Sequence, residues 1–361
     1  MTNGSTYLRK DGRWESRIYT GKDDNGKRKF RSFYGKSREE AEYKLKLAFR
    51  QADEDYAVTE MTVRRLVYEW LNVMGNRIKE STAANYRMKA EKHIIPAFGD
   101  TQCCMLRTQE IYAFIEQKIR EGLSMRYISD ILVLLKSIFR YAKRQYHVRN
   151  VLESIVMPKR SKPDIAILSK EQQVKLGRFI ETSQSLTTLG ISLSMYMGIR
   201  IGELCALQWA DIDLEKRIIT VRKTIQRIQV NNGKARTKLI ITEPKSANSM
   251  REIPIPDCLM DMLRSFYGED NDYVLSGSQK PVEPRTMQYR FSKILRNAEL
   301  PSVHFHSLRH LFATNCIELG FDVKTLSEIL GHSSVEVTLS RYVHSSMERK
   351  RACMNLMRAA A

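Results

Sequence analysis

No C-x-x-C pair, no uninterrupted apolar run of bilayer length and no glycine-rich phosphate loop occurs in this 361-residue chain, and each absence removes a class of function. The six cysteines (Cys103, Cys104, Cys205, Cys258, Cys316, Cys353) are scattered, mostly in apolar helical contexts. They read as buried reduced thiols rather than as a disulfide or zinc framework. With neither an apolar span nor a signal peptide, the chain is expected in the cytoplasm and away from membranes. His304, His306 and His310 crowd together, but no cysteine or acidic cluster joins them, so no metal is expected. The lack of phosphate loops and carboxylate clusters leaves no nucleotide or other cofactor to expect. Acidic residues are also short: 41 stand against 60 lysines and arginines, a formal charge of +19.

A single-sign excess of that size costs self-repulsion unless a polyanion uses it, and nucleic acid is the first candidate. A membrane surface is the rival, but the basic residues are spread along the chain instead of gathering on one amphipathic helix. Hydrophobic residues make up 42% of the chain, enough for ordinary cores in two or three domains.

Residues 1–57 read as a small sheet capped by a helix. Trp14 to Tyr19 and Lys27 to Tyr34 alternate, Asp24-Asn25-Gly26 is a hairpin signal, and Ser37 with Glu40 forms a capping box. Arg9, Arg13, Arg17, Lys27, Lys29 and Arg31 are expected on one strand face, interleaved with aromatic residues. Such a face fits a DNA major groove; a solvated basic surface is the alternative. Asp53 to Thr59 reads as a linker. Four helices follow within 58–156: one carries the Leu66 to Met74 stripe, a second opens at Ser81-Thr82 and ends before Pro96, and Thr108 and Ser124 open the others. Lys79, Arg87, Lys89, Arg126 and Lys136 are expected on outward faces of this bundle, gripping phosphates or simply solvated. MPKRSKPD, around 157–164, is the interdomain linker.

Ser169 and Gln172 cap the next helix and open a mainly helical domain over 165–345. An apolar helix ends near Gly198, Arg200 follows, and Glu203 one turn on either holds its guanidinium or makes a surface pair. Strand-like runs at 217–223, 239–242 and 250–255 predict a small antiparallel sheet, with Lys245 on the loop between the last two. The tail 346–361 is a short helix that needs a surface to dock on, its own domain or a neighbour's. The fold class is therefore α+β and multidomain: an N-terminal sheet plus helix, a four-helix bundle, and a mainly α domain with a small sheet.

The most informative stretch is Phe305 to Tyr342. Apolar spacing predicts a helix from Ser307 to Gly320 with His306 and Arg309 one turn apart. A second helix, opened by Asp322 and ended by Gly331, presents His332, and a Ser/Thr-rich segment leads to Tyr342. A guanidinium grips phosphate bidentately, histidine exchanges protons near neutral pH, and a tyrosine hydroxyl forms a covalent ester. A phosphodiester suits all three.

Arg200 with Gly202-Glu203, Lys245 before a strand, His306-x-x-Arg309-His310, Leu330-Gly331-His332 and Tyr342-x-His344, in that order and spacing, resemble the tyrosine recombinases of the phage integrase family. The resemblance spans about the last half of the chain. It implies Tyr342 as nucleophile, Arg200 and Arg309 as phosphate clamps, His306 as base, His332 as a phosphate hydrogen-bonder and Lys245 as acid. It further implies an arm-type DNA-binding domain at 1–57, a core-binding bundle at 58–156, and double-stranded DNA with core and arm sites as partner. A tetramer on DNA, an excisionase and a host DNA-bending protein are implied in the same way. Integration and excision of a conjugative transposon or prophage is the expected role. A type IB topoisomerase and a non-catalytic architectural protein or repressor are the other readings.

Overall fold

The computed structural model describes residues 5–22, 27–75, 77–158, 166–230, 236–243, 249–342, 351 and 355. The chain divides into two compact units, Met1–Lys162 and Pro163–Ala361.

The first unit begins with strands β1 (Ser5–Leu8), β2 (Trp14–Lys22) and β3 (Arg28–Gly35), an antiparallel sheet in sequence order. The expected turn at Asp24 to Gly26 lies outside the described residues. Helix α1 (Arg38–Thr59) packs on the sheet. Ser37 Oγ accepts from the Glu40 N–H, while the Glu40 carboxylate takes the N–H of Lys36 rather than of Ser37, a capping box shifted by one residue. The helix runs to Thr59, through the stretch read as a linker: Asp53 to Thr59 has a linker's composition and carries neither proline nor glycine to stop a helix.

The bundle consists of α2 (Val63–Gly75), α3 (Glu80–Lys89), α4 (Ile95–Phe98), α5 (Thr108–Arg120) and α6 (Met125–Tyr146). Its core draws Leu66, Val67 and Trp70 from α2, Ile111 and Phe114 from α5, and Ile128 to Ala142 from α6. The second expected helix does not end before Pro96. A π-helical turn, Ala90–Ile94, joins α3 to α4, with the Ile95 N–H bonded to the Ala90 carbonyl. Proline lacks an N–H and crowds the carbonyl four residues back, and the wider turn lets the chain pass it without breaking.

In the second unit α7 (Lys170–Thr182) carries the Ser169–Gln172 capping box. Helix α8 (Leu186–Met197) is buried nearly all round and packs against the later helices α10 (Asp257–Phe266), α11 (Pro284–Asn297) and α12 (His306–Glu318), as a helix apolar on every side must. Short α9 (Ile201–Leu204) follows. Instead of one small sheet there are two: β4 (Ile212–Asp213), β5 (Ile218–Val221) and β8 (Arg251–Pro254) form one, and β6 (Thr224–Gln229) with β7 (Thr237–Thr242) form the other. The Leu239 run thus pairs with the overlooked β6, Ile225 opposite Ile241, and not with β8. Helices α13 (Val323–Leu330) and α14 (Val335–Tyr342) close the unit. The Ser/Thr-rich segment before Tyr342 is therefore helical.

Three thiols are buried as expected (Cys103, Cys205, Cys316), but Cys104 and Cys258 are exposed, because each falls on the outward side of its turn or helix. Cys353 and the docking helix expected at 346–361 lie outside the described residues, except that positions 351 and 355 are helical. Among the described residues, no helix is long and apolar enough to cross a membrane, and no three His, Cys, Asp or Glu side chains are placed to hold a metal ion.

Candidate active site

The site is built on the carboxyl ends of two helices. Gly198 ends α8 and Gly331 ends α13, both left-handed, at φ 66° and 62°. At Gly198 only glycine fits, since a Cβ would lie 2.6 Å from Phe312 Cδ1 and 2.9 Å from Leu330 Cδ2. The end of α13 is a Schellman motif: the His332 N–H bonds to the Ser327 carbonyl and the Gly331 N–H to that of Glu328. The three carbonyls that follow are each taken by a different arginine. Ile329 accepts from Arg251 Nε at 2.6 Å, Leu330 from Arg309 Nη2 at 2.6 Å and Gly331 from Arg200 Nη2 at 2.9 Å. Arg309 Nη1 also donates to the Gly198 carbonyl at 2.7 Å. Carbonyls at helix C-termini carry the negative end of the dipole, which is why guanidinium groups settle there.

Glu203 completes the network. Its Oε1 accepts from Arg200 Nη1 at 2.6 Å, and its Oε2 accepts from the Arg200 backbone N–H and from Arg251 Nη2 at 2.9 Å. Of the two readings of Glu203, the structure has it holding the guanidinium. Burial alone would push this carboxyl up; Arg251 and Arg200 outweigh it and hold the carboxyl below the ordinary glutamate value. Arg309 is 2% exposed, whereas the Arg200 side chain is 32% exposed and faces solvent. Three guanidinium groups against one carboxylate leave a surplus of positive charge, suited to an anion with several oxygens.

His306 opens α12 one turn before Arg309 and is exposed, its ring edge-on to buried His310 at 4.7 Å. His332 is buried, and its Nδ1 lies 2.8 Å from the hydroxyl of Thr338 on α14, four residues before Tyr342, the last residue of that helix. An open groove of about 540 Å³ beside it is lined by Arg251, Ser327, Glu328, His332, Ser333 and Ser334 among others. Arg200, Arg309 and His332 thus meet at the end of α13. His306 and Tyr342 are placed by the helices that join there, and Lys245 lies outside the described residues. Sequence reasoning passed over Arg251 and Thr338, whose only local signals are an arginine entering a strand and a helical threonine.

The expected DNA-contacting residues are more dispersed. Arg17 pairs with Ser32 and Ile18 with Arg31, so Arg17 and Arg31 point to opposite faces of the sheet, contrary to the single basic face expected. Arg9 and Arg13 sit in the β1–β2 turn, both over the Tyr34 ring, while Arg17 lies over Tyr7 and Phe30. This open face of arginines on aromatics rests on buried Glu15, which accepts from Arg9 at 2.8 Å and Ser32 at 2.6 Å. Lys27 precedes β3, and Lys29 and Arg31 are exposed on it. In the bundle Lys79, Arg87 and Arg126 are exposed and Lys136 is half-buried. Lys89 is not outward: it is 8% exposed, 3.6 Å from Asp130, because the π-turn that follows it rotates this part of the helix inward. A basic face not picked out beforehand runs along α11, where exposed Arg285, Tyr289, Lys293 and Arg296 lie opposite buried Met287, Phe291 and Leu295.

Comparison with known proteins bears on the same elements. The model of the phage integrase family matches residues 166–349, about half of the chain, and that of the phage integrase N-terminal SAM-like domain matches residues 62–119. A XerC-like tyrosine recombinase of Caldanaerobacter subterraneus is 27% identical over 381 aligned positions, covering 97% of this chain and 95% of its own length. The structure of the Tn1549 transposon integrase in complex with a circular intermediate DNA superposes with a TM-score of 0.70 at 21% identity, over 82% of this chain and 99% of that one. A lambda integrase tetramer bound to a Holliday junction gives 0.60 at 20% identity, over 95% and 97%. These two likenesses are of fold.

Proposed function

We propose how this chain, which belongs to the phage integrase family and is a tyrosine recombinase, carries out strand exchange. Tyr342 attacks the scissile phosphate in line, the bond from phosphorus to the 5′-oxygen breaks, and a 3′-phosphotyrosyl linkage and a free 5′-hydroxyl result. A tyrosine hydroxyl, with an ordinary pKa of about 10, needs its proton removed, and His306 takes it. Lys245 gives a proton to the leaving 5′-oxygen. Arg200 and Arg309 neutralise the charge growing on the non-bridging oxygens, and His332 hydrogen-bonds the same phosphate. Attack by a different 5′-hydroxyl reverses the step and joins the strand to a new partner, the bond energy having been kept in the ester. The observation that carries this reading is the convergence of Arg200 and Arg309 on consecutive carbonyls of α13, one residue before His332.

The biological role is integration and excision of a mobile element, a conjugative transposon or prophage. The N-terminal sheet binds outlying arm sites and the bundle binds the crossover core. The arginine-on-aromatic face of the sheet and the basic face of α11 support contact with double-stranded DNA. Assembly on DNA is as a tetramer, assisted by an excisionase and a host DNA-bending protein. The test is a nicked suicide duplex cut from candidate element ends. A covalent adduct that survives denaturation and disappears in Tyr342→Phe establishes nucleophile and reaction class; bound DNA with no adduct on any end speaks for a non-catalytic DNA-binding protein.

A further inference from the structure

Arg251 has no part in the chemistry above, yet its side chain is 6% exposed, and its bonds to Glu203 and to the Ile329 carbonyl lead into the site. Nη2 donates to Glu203 at 2.9 Å, on the carboxylate whose other oxygen holds Arg200. Nε donates to the Ile329 carbonyl, two residues before the carbonyl that takes Arg200 Nη2, and Nη1 donates to the Ser249 carbonyl at 3.1 Å. Arg251 and Arg200 are therefore anchored on the same carboxylate and the same helix end, and Arg251 opens a strand of the three-stranded sheet. Arg309 binds the carbonyl between theirs and, with its other amino group, the Gly198 carbonyl.

The geometry points to Arg251 as a positioning residue that, through Glu203 and the end of α13, sets the Arg200 guanidinium in the orientation in which it grips the reacting phosphate. This deepens the strand-exchange reading and rests on it. The carboxylate is oriented by two opposed donors. With Arg251 gone, Arg200 is the one arginine left on Glu203 among the described residues, and the carboxylate is free to pull that guanidinium toward itself and away from the substrate. Lysine at 251 keeps a charge near Glu203 but has no fork with which to reach Glu203 and Ile329 together.

The task of Arg200 is to neutralise charge on a non-bridging oxygen, so its loss matters less where that charge is absent. The experiment compares covalent adduct formation by the full chain on two nicked duplexes, one with an ordinary scissile phosphate and one with a neutral methylphosphonate there. Wild type, Arg251→Gln, Arg251→Lys and, as reference, Arg200→Ala are assayed. Arg251→Gln is expected to slow adduct formation roughly 100-fold on phosphate and less than roughly 5-fold on methylphosphonate, following Arg200→Ala, with Arg251→Lys in between. The ratio of the two rates is unaffected by any unfolded fraction, which lowers both alike. Equal losses on both substrates, or none on either, overturn the inference, because Arg251 would then serve the fold alone. Absence of adduct with the wild type on both substrates would instead overturn the strand-exchange reading itself.

Discussion

The Nδ1 atom of His332 lies 2.8 Å from the hydroxyl of Thr338, a residue with no exposed surface. This bond ties the turn after α13 to α14, the helix that ends at Tyr342, and helps to orient the His332 ring. Thr338→Val keeps the shape and removes the bond. A neutral hydrogen bond contributes about 1 kcal/mol, so the adduct-forming rate should fall roughly 2- to 10-fold with DNA affinity unchanged. An equal loss of affinity would show that Thr338 serves binding instead.

Gly198→Ala should destabilise the second unit by about 1–3 kcal/mol, because the added methyl meets Phe312 and Leu330 at a left-handed position. Denaturant unfolding measures the loss. A variant as stable as the wild type would mean that the α8 terminus has room that the packing does not show.

Glu203 gives a stability signal with a definite sign. Burial raises its pKa, but Arg251 and Arg200 more than offset this, so the folded value lies below the ordinary 4.5. Its ionised form therefore adds stability above about pH 4.5, and that stability is lost as the pH falls through the folded value. Glu203→Gln should be clearly less stable than the wild type at pH 7, and the gap should narrow only in acid. A constant gap from pH 7 to pH 3 would show that the charge contributes nothing.

Burial pushes the Cys103 and Cys205 thiols up to about 12 and that of Cys316 to about 11. Alkylation of the native protein at pH 8 with iodoacetamide should label exposed Cys104 and Cys258 and spare these three, since the thiolate is the reactive form. Peptide mapping by mass spectrometry reads the outcome, and prompt labelling of Cys205 would contradict the core as described.

In the bundle, Arg87→Ala should weaken DNA binding and lower its salt dependence by about one phosphate contact. Lys89→Ala should leave affinity alone and lower stability, because it removes a buried partner of Asp130. Titrations at several salt concentrations, with thermal unfolding of both variants, separate the two; the reverse pattern would place Lys89 on the DNA.

Elements set by neighbours a few residues apart were legible from the chain alone. Asp322 and Gly331 bound α13 because a cap needs only an acceptor three residues before an N–H and a residue tolerant of positive φ. Ser169 with Gln172, and His306 with Arg309, follow from the same short-range geometry. What the tertiary structure alone decided is which distant groups meet. Arg309 reaches a carbonyl 111 residues away and Arg200 one 131 residues away, and Arg251 finds Glu203 across 48. The pairing of β7 with β6, the inward turn of Lys89 and the opposite faces of Arg17 and Arg31 likewise depend on register and on a π-turn. Composition and periodicity describe one residue in its own element; a buried guanidinium is placed by acceptors on other elements, and their arrival is settled only when the core closes around them.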